Sequence, residues 1–167
     1  MAILIDKSGS PIANPLDMVD EMLLGSGIAA NQPVPYERTA MVAGNWAEYA
    51  LWYRWEKPEQ LLLFTCLIES AIAPSEYGRV YELLCYMNEK LKLGHFELRR
   101  SDGNILFRRN IMVESSMSVA AEKLEKLLDI AIIECDRCHP ALQAMLWEKK
   151  SPREALECSL FETMGEA

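Results

Sequence analysis

Toward the end of the 167-residue chain, Cys135-Asp136-Arg137-Cys138-His139 spells CxxCH. At that spacing two cysteines form thioether bonds to a c-type haem and the histidine supplies an axial ligand. The surroundings argue against that chemistry. Leu124, Leu127, Leu128, Ala131, Cys135 and Cys138 recur at helical spacing, so both cysteines fall on the apolar stripe of one helix. His139 stands at its end, before Pro140, near the negative pole of the helix dipole. Haem attachment also follows export, and the first residues, MAILIDKSGSP, lack the basic leader and long apolar run of an export signal. A structural zinc site needs four ligands, and Cys66, Cys85 and Cys158 provide no second close pair. A redox CxxC pair requires a helix N-terminus to depress its thiol pKa, whereas this pair sits near a C-terminus. The expectation is packed thiols, with no cofactor and no metal.

Two other groups could make contacts. Arg99, Arg100, Arg108 and Arg109 cluster around Asp102-Gly103, the strongest turn signal in the chain. A two-residue loop there pairs Leu98 with Phe107 and Glu97 with Arg108, placing Arg99 and Arg108 on one face and Arg100 and Arg109 on the other. Trp46, Tyr49, Trp52, Tyr53 and Trp55 form an aromatic strand. Such a strand can stack bases, but the net charge of −8 excludes broad nucleic-acid binding, which needs a positive surface. The candidate partner-binding residues are therefore Trp46, Trp52, Trp55, Arg99, Arg100, Arg108 and Arg109. Asn88 is a polar group on an apolar helical face, suited to bonding nearby backbone. Phosphate-cradling glycine loops, nucleophile elbows and HExxH are all missing, and 2 histidines leave little room for imidazole chemistry, so no enzymatic activity is expected.

The elements that position these residues follow from local signals. Asn14-Pro15 caps a helix that Gly25 or Gly27 ends. Tyr36 to Ala43, Trp46 to Trp55 and Gln60 to Glu69 read as a three-strand meander. The second strand sets Trp46, Ala50, Trp52 and Arg54 on one face and Ala47, Tyr49, Leu51, Tyr53 and Trp55 on the other. The third, rich in leucine, reads as a central strand covered on both sides. Pro74 to Leu93 forms a helix stopped by Gly94, followed by a hairpin of His95 to Ser101 with Asn104 to Val113. A helix runs from Ser118, Pro140 opens another through Trp147, and the Ser151-Pro152-Arg153-Glu154 capping box opens a last one toward Met164.

The fold class is thus α+β: an antiparallel five-stranded sheet, built as meander, helix and hairpin, flanked by helices. Because both faces of the Trp46 and Leu61 strands are apolar, the second face needs covering by the C-terminal helices or by another subunit. Residues 1–13 read as a flexible segment and 14–167 as one domain. Half of the residues are apolar and no apolar run approaches a membrane span, which points to a cytoplasmic chain without membrane contact. The odd count of 5 cysteines reads as free thiols packed as small hydrophobes.

The chain resembles the YbjN family of bacterial proteins, described as sensory-transduction regulators with a fold similar to type III secretion chaperones. The resemblance rests on Asn14-Pro15-Leu16-Asp17-Met18-Val19, on Trp46, Tyr49, Leu51 and Trp55, and most specifically on the run from Asn88 to Phe96. Phe107-Arg108, Lys150-Ser151-Pro152 with Glu154-Ala155, and Glu162-Thr163 with Gly165-Glu166-Ala167 extend it. It implies a chaperone-like α+β fold, a homodimer, no established enzymatic activity and no catalytic residue. Two functions are compatible with it: a protein-binding regulator, or a small-molecule sensor with a pocket between the aromatic strands and the C-terminal helices.

Overall fold

The computed structural model describes residues 14–113 and 121–162. The flexible segment 1–13, the helix start at Ser118 and the end of the last helix at Met164 lie outside them. Helix α1 (Pro15–Gly25) opens where expected, with the Leu16 amide donating to Asn14 Oδ1 at 3.2 Å. Removing such a cap costs about 1 kcal/mol. Leu16, Val19, Met22 and Leu23 turn inward, and Arg38 clamps the helix to the sheet with two bonds to the Asp20 carboxylate, at 2.7 and 2.9 Å.

Six strands follow, not five: β1 (Ala30–Asn31), β2 (Glu37–Ala43), β3 (Glu48–Glu56), β4 (Leu61–Ile68), β5 (His95–Arg99) and β6 (Asn104–Met112). All neighbours are antiparallel, in the order β1-β2-β3-β4-β6-β5. The extra strand is two residues long, pairing Ala30 with Ala40 and Asn31 with Thr39, too short to leave any alternation in the sequence. Trp46 falls outside β3, in the bend of residues 44–47 that the Gly44 amide closes on the Ala47 carbonyl at 2.8 Å.

A short 3₁₀ turn (Pro74–Glu76) leads into helix α2 (Tyr77–Lys90). Gly94 then takes φ +75, and a Cβ there would overlap the Phe107 ring. Asn88 ties the helix to the sheet edge: it accepts from the Phe96 amide at 2.7 Å and donates to the Phe96 carbonyl at 3.0 Å. It thereby occupies the outward-facing groups of an edge strand.

The hairpin register differs from the expected one by two residues. Phe96 pairs with Phe107 and Leu98 with Ile105, around a four-residue loop at 100–103. The reason is the use made of Asp102: its carboxylate accepts from Arg99 at 2.6 Å and from the Asn104 amide at 3.2 Å, so it cannot sit in a two-residue turn. A two-residue slip leaves every side chain on its face. Arg99 and Arg108 stay together, while Arg100 moves into the loop.

Helix α3 runs unbroken from Ala121 to Leu146, with Pro140 inside it rather than opening a new helix. The lost hydrogen bond and ring clash cost about 3 kcal/mol. Burial of Pro140, Ala141, Leu142, Ala144 and Met145 offsets that cost and holds the helix together. Helix α4 (Pro152–Glu162) begins with the expected capping box, in which Glu154 accepts from the Ser151 amide at 2.9 Å and hydroxyl at 2.6 Å. These bonds hold the Glu154 carboxyl below its ordinary pKa.

One core results. From the sheet it takes Tyr49, Leu51, Tyr53, Trp55, Leu62, Phe64, Cys66, Ile68, Phe96, Leu98, Ile105 and Phe107, and from the helices the apolar stripes described above. All four helices therefore lie on one side of the sheet. On β4 the covered set is Leu62, Phe64, Cys66 and Ile68, whereas Leu61, Leu63, Thr65 and Leu67 remain half-exposed. Among the described residues the strand is central but covered on one face only, and helices α3 and α4 do not reach the other.

Candidate functional site

The CxxCH segment proves to be a packing device. Cys135 and Cys138 are fully buried on α3, and Cys135 Sγ lies 3.6 Å from Cys66 Sγ on β4. Burial pushes the Cys138 thiol far above its ordinary pKa. The contact with Cys66, then burial, does the same for Cys135, so both stay neutral and weakly nucleophilic. Cys85 is exposed and Cys158 partly so, contrary to the expectation that all five cysteines pack inside. Asp136 is the polar member: its carboxylate accepts from Tyr49 Oη at 2.6 Å and from the Asn45 amide at 3.0 Å to each oxygen. Burial, then this bond, drives the Tyr49 phenol far above its ordinary pKa. His139 stacks on Trp46, with ring centroids 6.3 Å apart and planes at 11°, and its Nδ1 is buried without a partner. Desolvation lowers its pKa despite the nearby Asp136. Among the described residues no three metal-ligating side chains converge.

The open face of the sheet is different in kind. Two adjoining hollows of about 440 and 370 Å³ share Trp52, Thr65, Arg99 and Leu106. Leu63, Arg54, Glu56, Glu97 and Arg108 extend the first; Met41, Ala50 and Leu67 extend the second. Trp52 is 41% exposed and Met41 54%. Leu106 is buried and lines both hollows. Each arginine has a carboxylate partner within the chain: Arg54 with Glu56 at 3.4 Å, Arg99 with Asp102 at 2.6 Å and Arg108 with Glu97 at 2.8 Å. Arg99 holds the Asp102 carboxyl down at about 2. Apolar side chains and neutralised charges suit binding; no nucleophile with a neighbouring base lies in either hollow.

Of the seven candidate contact residues, the structure brings together Trp52, Arg99 and Arg108. Trp46 is elsewhere, on His139. Trp55 is a correction: its odd-numbered position on β3 turns it into the core, at 9% exposure, where no partner reaches it. Arg100 sits exposed in the hairpin loop, and exposed Arg109 pairs across from Phe64, on the opposite face from Arg108. Thr65, Leu67 and Leu106 were missed because two-sided apolar strands do not announce which face stays open. Asp136 was missed as well; the signal was Tyr49, a buried phenol that needs an acceptor.

Comparison with known proteins agrees with this architecture. The chain matches the crystal structure of YbjN from E. coli, described as "a putative transcription regulator", with TM-score 0.53 and 11% identity over 74% of this chain and 88% of that one. At such identity the likeness speaks for the fold alone. Among curated proteins none matches. The family model YbjN, described as "putative bacterial sensory transduction regulator", matches residues 15–144, from the first helical residue into α3 beyond the CxxCH segment. The chain belongs to the YbjN family.

Proposed function

We propose that this chain is a non-enzymatic regulator that acts by binding protein, in a chaperone-like manner, through the open face of its sheet in the cytoplasm. One observation carries the reading: the four described helices crowd one side, and among the described residues nothing covers the other face, centred on Trp52. Apolar sheet faces are rarely left to water, and exposed aromatic residues ringed by paired charges mark protein contacts. The family description as a regulator is consistent with it. A photo-cross-linking amino acid placed at position 52 is expected to trap polypeptide in the native cell, and one placed at Ile133, on the exposed side of α3, is not. Adducts at Ile133 alone would overturn the reading.

A second reading has one observation in its favour. The 440 Å³ hollow falls within the size range of small-molecule sites, roughly 300–1,000 Å³. It lies on the open face, not between the aromatic strands and the C-terminal helices, where the covered core is. A metabolite retained in native mass spectrometry and lost in Trp52→Ala would favour this sensor function.

A further inference from the structure

Beyond the open face, we infer a second docking surface: the outer edge of β6 at residues 109–112 receives an extended peptide of a partner protein, added as an antiparallel strand with an acidic residue opposite Arg109. Backbone direction is the first argument. Strand β5 begins at His95, which pairs with Arg108, and the left-handed conformation of Gly94 turns the preceding chain away. Among the described residues nothing pairs with 109–112 on that side. The Phe96 amide and carbonyl point outward to Asn88, so Phe96 and Phe107 form a non-hydrogen-bonded pair, and the even-numbered residues of β6 aim their N–H and C=O groups toward the β5 side. The Val113 amide, which donates to the Gln60 carbonyl at 2.9 Å, fixes the same alternation from the other end. Asn110 and Met112 therefore turn their backbone donors and acceptors to a lane that no described residue fills, while Ile111 bonds to Leu62 on β4.

Side chains decide what fits. Edge strands are ordinarily blunted by proline, a bulge or a charge. Asn88 blunts β5 at Phe96, but beyond Arg109 the β6 edge carries Asn110, half-buried Ile111 and a Met112 that is 74% exposed, with no proline. Ile111 packs against the core from its rim, so an incoming residue opposite it, in a non-hydrogen-bonded pair where side chains come closest, meets an apolar surface. Arg109 is the next such position toward the hairpin loop. It is exposed and, unlike Arg54, Arg99 and Arg108, has no carboxylate partner among the described residues; exposed Lys92, three residues before His95, has none either. Two unpaired cations beside an open edge, in a chain of net charge −8, select a carboxylate on the incoming strand. From the residue opposite Met112 to the one opposite Arg109, the peptide then reads apolar, apolar, any, acidic. The far edge lacks this selectivity: Met41 and Ala43 also point outward beyond the two-residue β1, but the charge across from Ala43 is that of Glu48.

The test uses the full chain and a fluorescein-labelled peptide, TVITET, blocked at both ends, whose Val, Ile, Thr and Glu fall opposite Met112, Ile111, Asn110 and Arg109. Fluorescence anisotropy should give a Kd of about 100 µM. Amide hydrogen exchange needs no variant: in the free protein Asn110 and Met112 should exchange fast and Ile111 slowly, and the peptide should protect the first two. Asn110→Pro, tolerated where an edge N–H faces solvent, should weaken binding about tenfold or more with an unchanged circular dichroism spectrum. Arg109→Glu should weaken TVITET about tenfold and bind TVITKT, its acid replaced by lysine, as tightly as the native chain binds TVITET. No binding at millimolar peptide overturns the inference. So do Asn110 and Met112 amides already protected in the free protein, protection at Met41 in their place, or indifference to the charge exchange. The two readings fail separately: loss of TVITET binding leaves the open face untouched, and a probe at position 52 that traps nothing leaves the β6 edge untouched.

Discussion

Asp136 allows the sharpest test of how the covered side is held. Truncation to alanine removes the bonds to Tyr49 Oη and to the Asn45 amide. Asn45 is exposed, so water replaces its partner at little cost. Tyr49 is 0% exposed, so its hydroxyl is left without one. A hydrogen bond to a charged group contributes about 1.5–3 kcal/mol, and an orphaned buried donor costs about 1–3. Because these overlap, Asp136→Ala should destabilise by about 3 kcal/mol, and Tyr49→Phe, which leaves the carboxylate its Asn45 amide, by about 1.5. The double variant removes the orphan, so its cost should stay near 3 rather than reach the roughly 4.5 kcal/mol of additivity. Urea unfolding followed by far-ultraviolet circular dichroism, with m unchanged, measures all three. Strict additivity, or a loss below about 1 kcal/mol for Asp136→Ala, refutes the claim that this carboxylate anchors the 44–47 bend to α3.

Other outcomes follow from the same geometry. Asn88→Ala frees both backbone groups of Phe96 at the β5 edge and should cost about 2 kcal/mol, with faster aggregation at high concentration seen by light scattering. Gly94→Ala forces a side chain to φ +75 and into the Phe107 ring, and should lower stability by about 2–3 kcal/mol in the same urea assay. His139 has a folded pKa below its unfolded value, so its contribution to stability is complete above the ordinary 6.5 and is lost as pH falls through the folded pKa. His139→Phe, which preserves the stack on Trp46, should flatten the dependence of the urea midpoint on pH just below 6.5.

Where the sequence was legible, a single local interaction decided the structure. Asn14-Pro15 and Ser151-Pro152-Arg153-Glu154 are closed by their own side chains, and both caps form as read. Alternation in β3 correctly separated Trp52 and Arg54 from Tyr49, Leu51 and Tyr53. Where distant residues decided it, the reading failed. Pro140 breaks isolated helices, but here tertiary burial on both sides of it carries α3 through. Asp102-Gly103 favours a two-residue turn, but the Arg99 guanidinium recruits Asp102 and the Phe96–Phe107 contact, 5.4 Å between ring centroids, fixes another register. CxxCH is the extreme case. Its spacing fits haem attachment, yet one cysteine meets Cys66, the aspartate meets Tyr49 and the histidine meets Trp46, none of them near in sequence.

On the proposed reading, the two faces of the sheet divide stability from binding. The covered face is held by contacts across α3, β3 and β4, thiol to thiol and the Tyr49 phenol to the Asp136 carboxylate, with Tyr53 Oη and His139 Nδ1 left without partners among the described residues, so truncation there reads out as unfolding. Phe64→Ala should cost about 3–5 kcal/mol at any protein concentration. The open face contributes little to the isolated fold: Leu67 is half-exposed, and Leu67→Asp should move the stability of dilute protein by under about 1 kcal/mol. Urea unfolding of dilute Leu67→Asp, beside Phe64→Ala, separates the two roles. A large loss in dilute Leu67→Asp would mean that the open face serves the fold of the single chain, and the division argued from the placement of the described helices would be wrong.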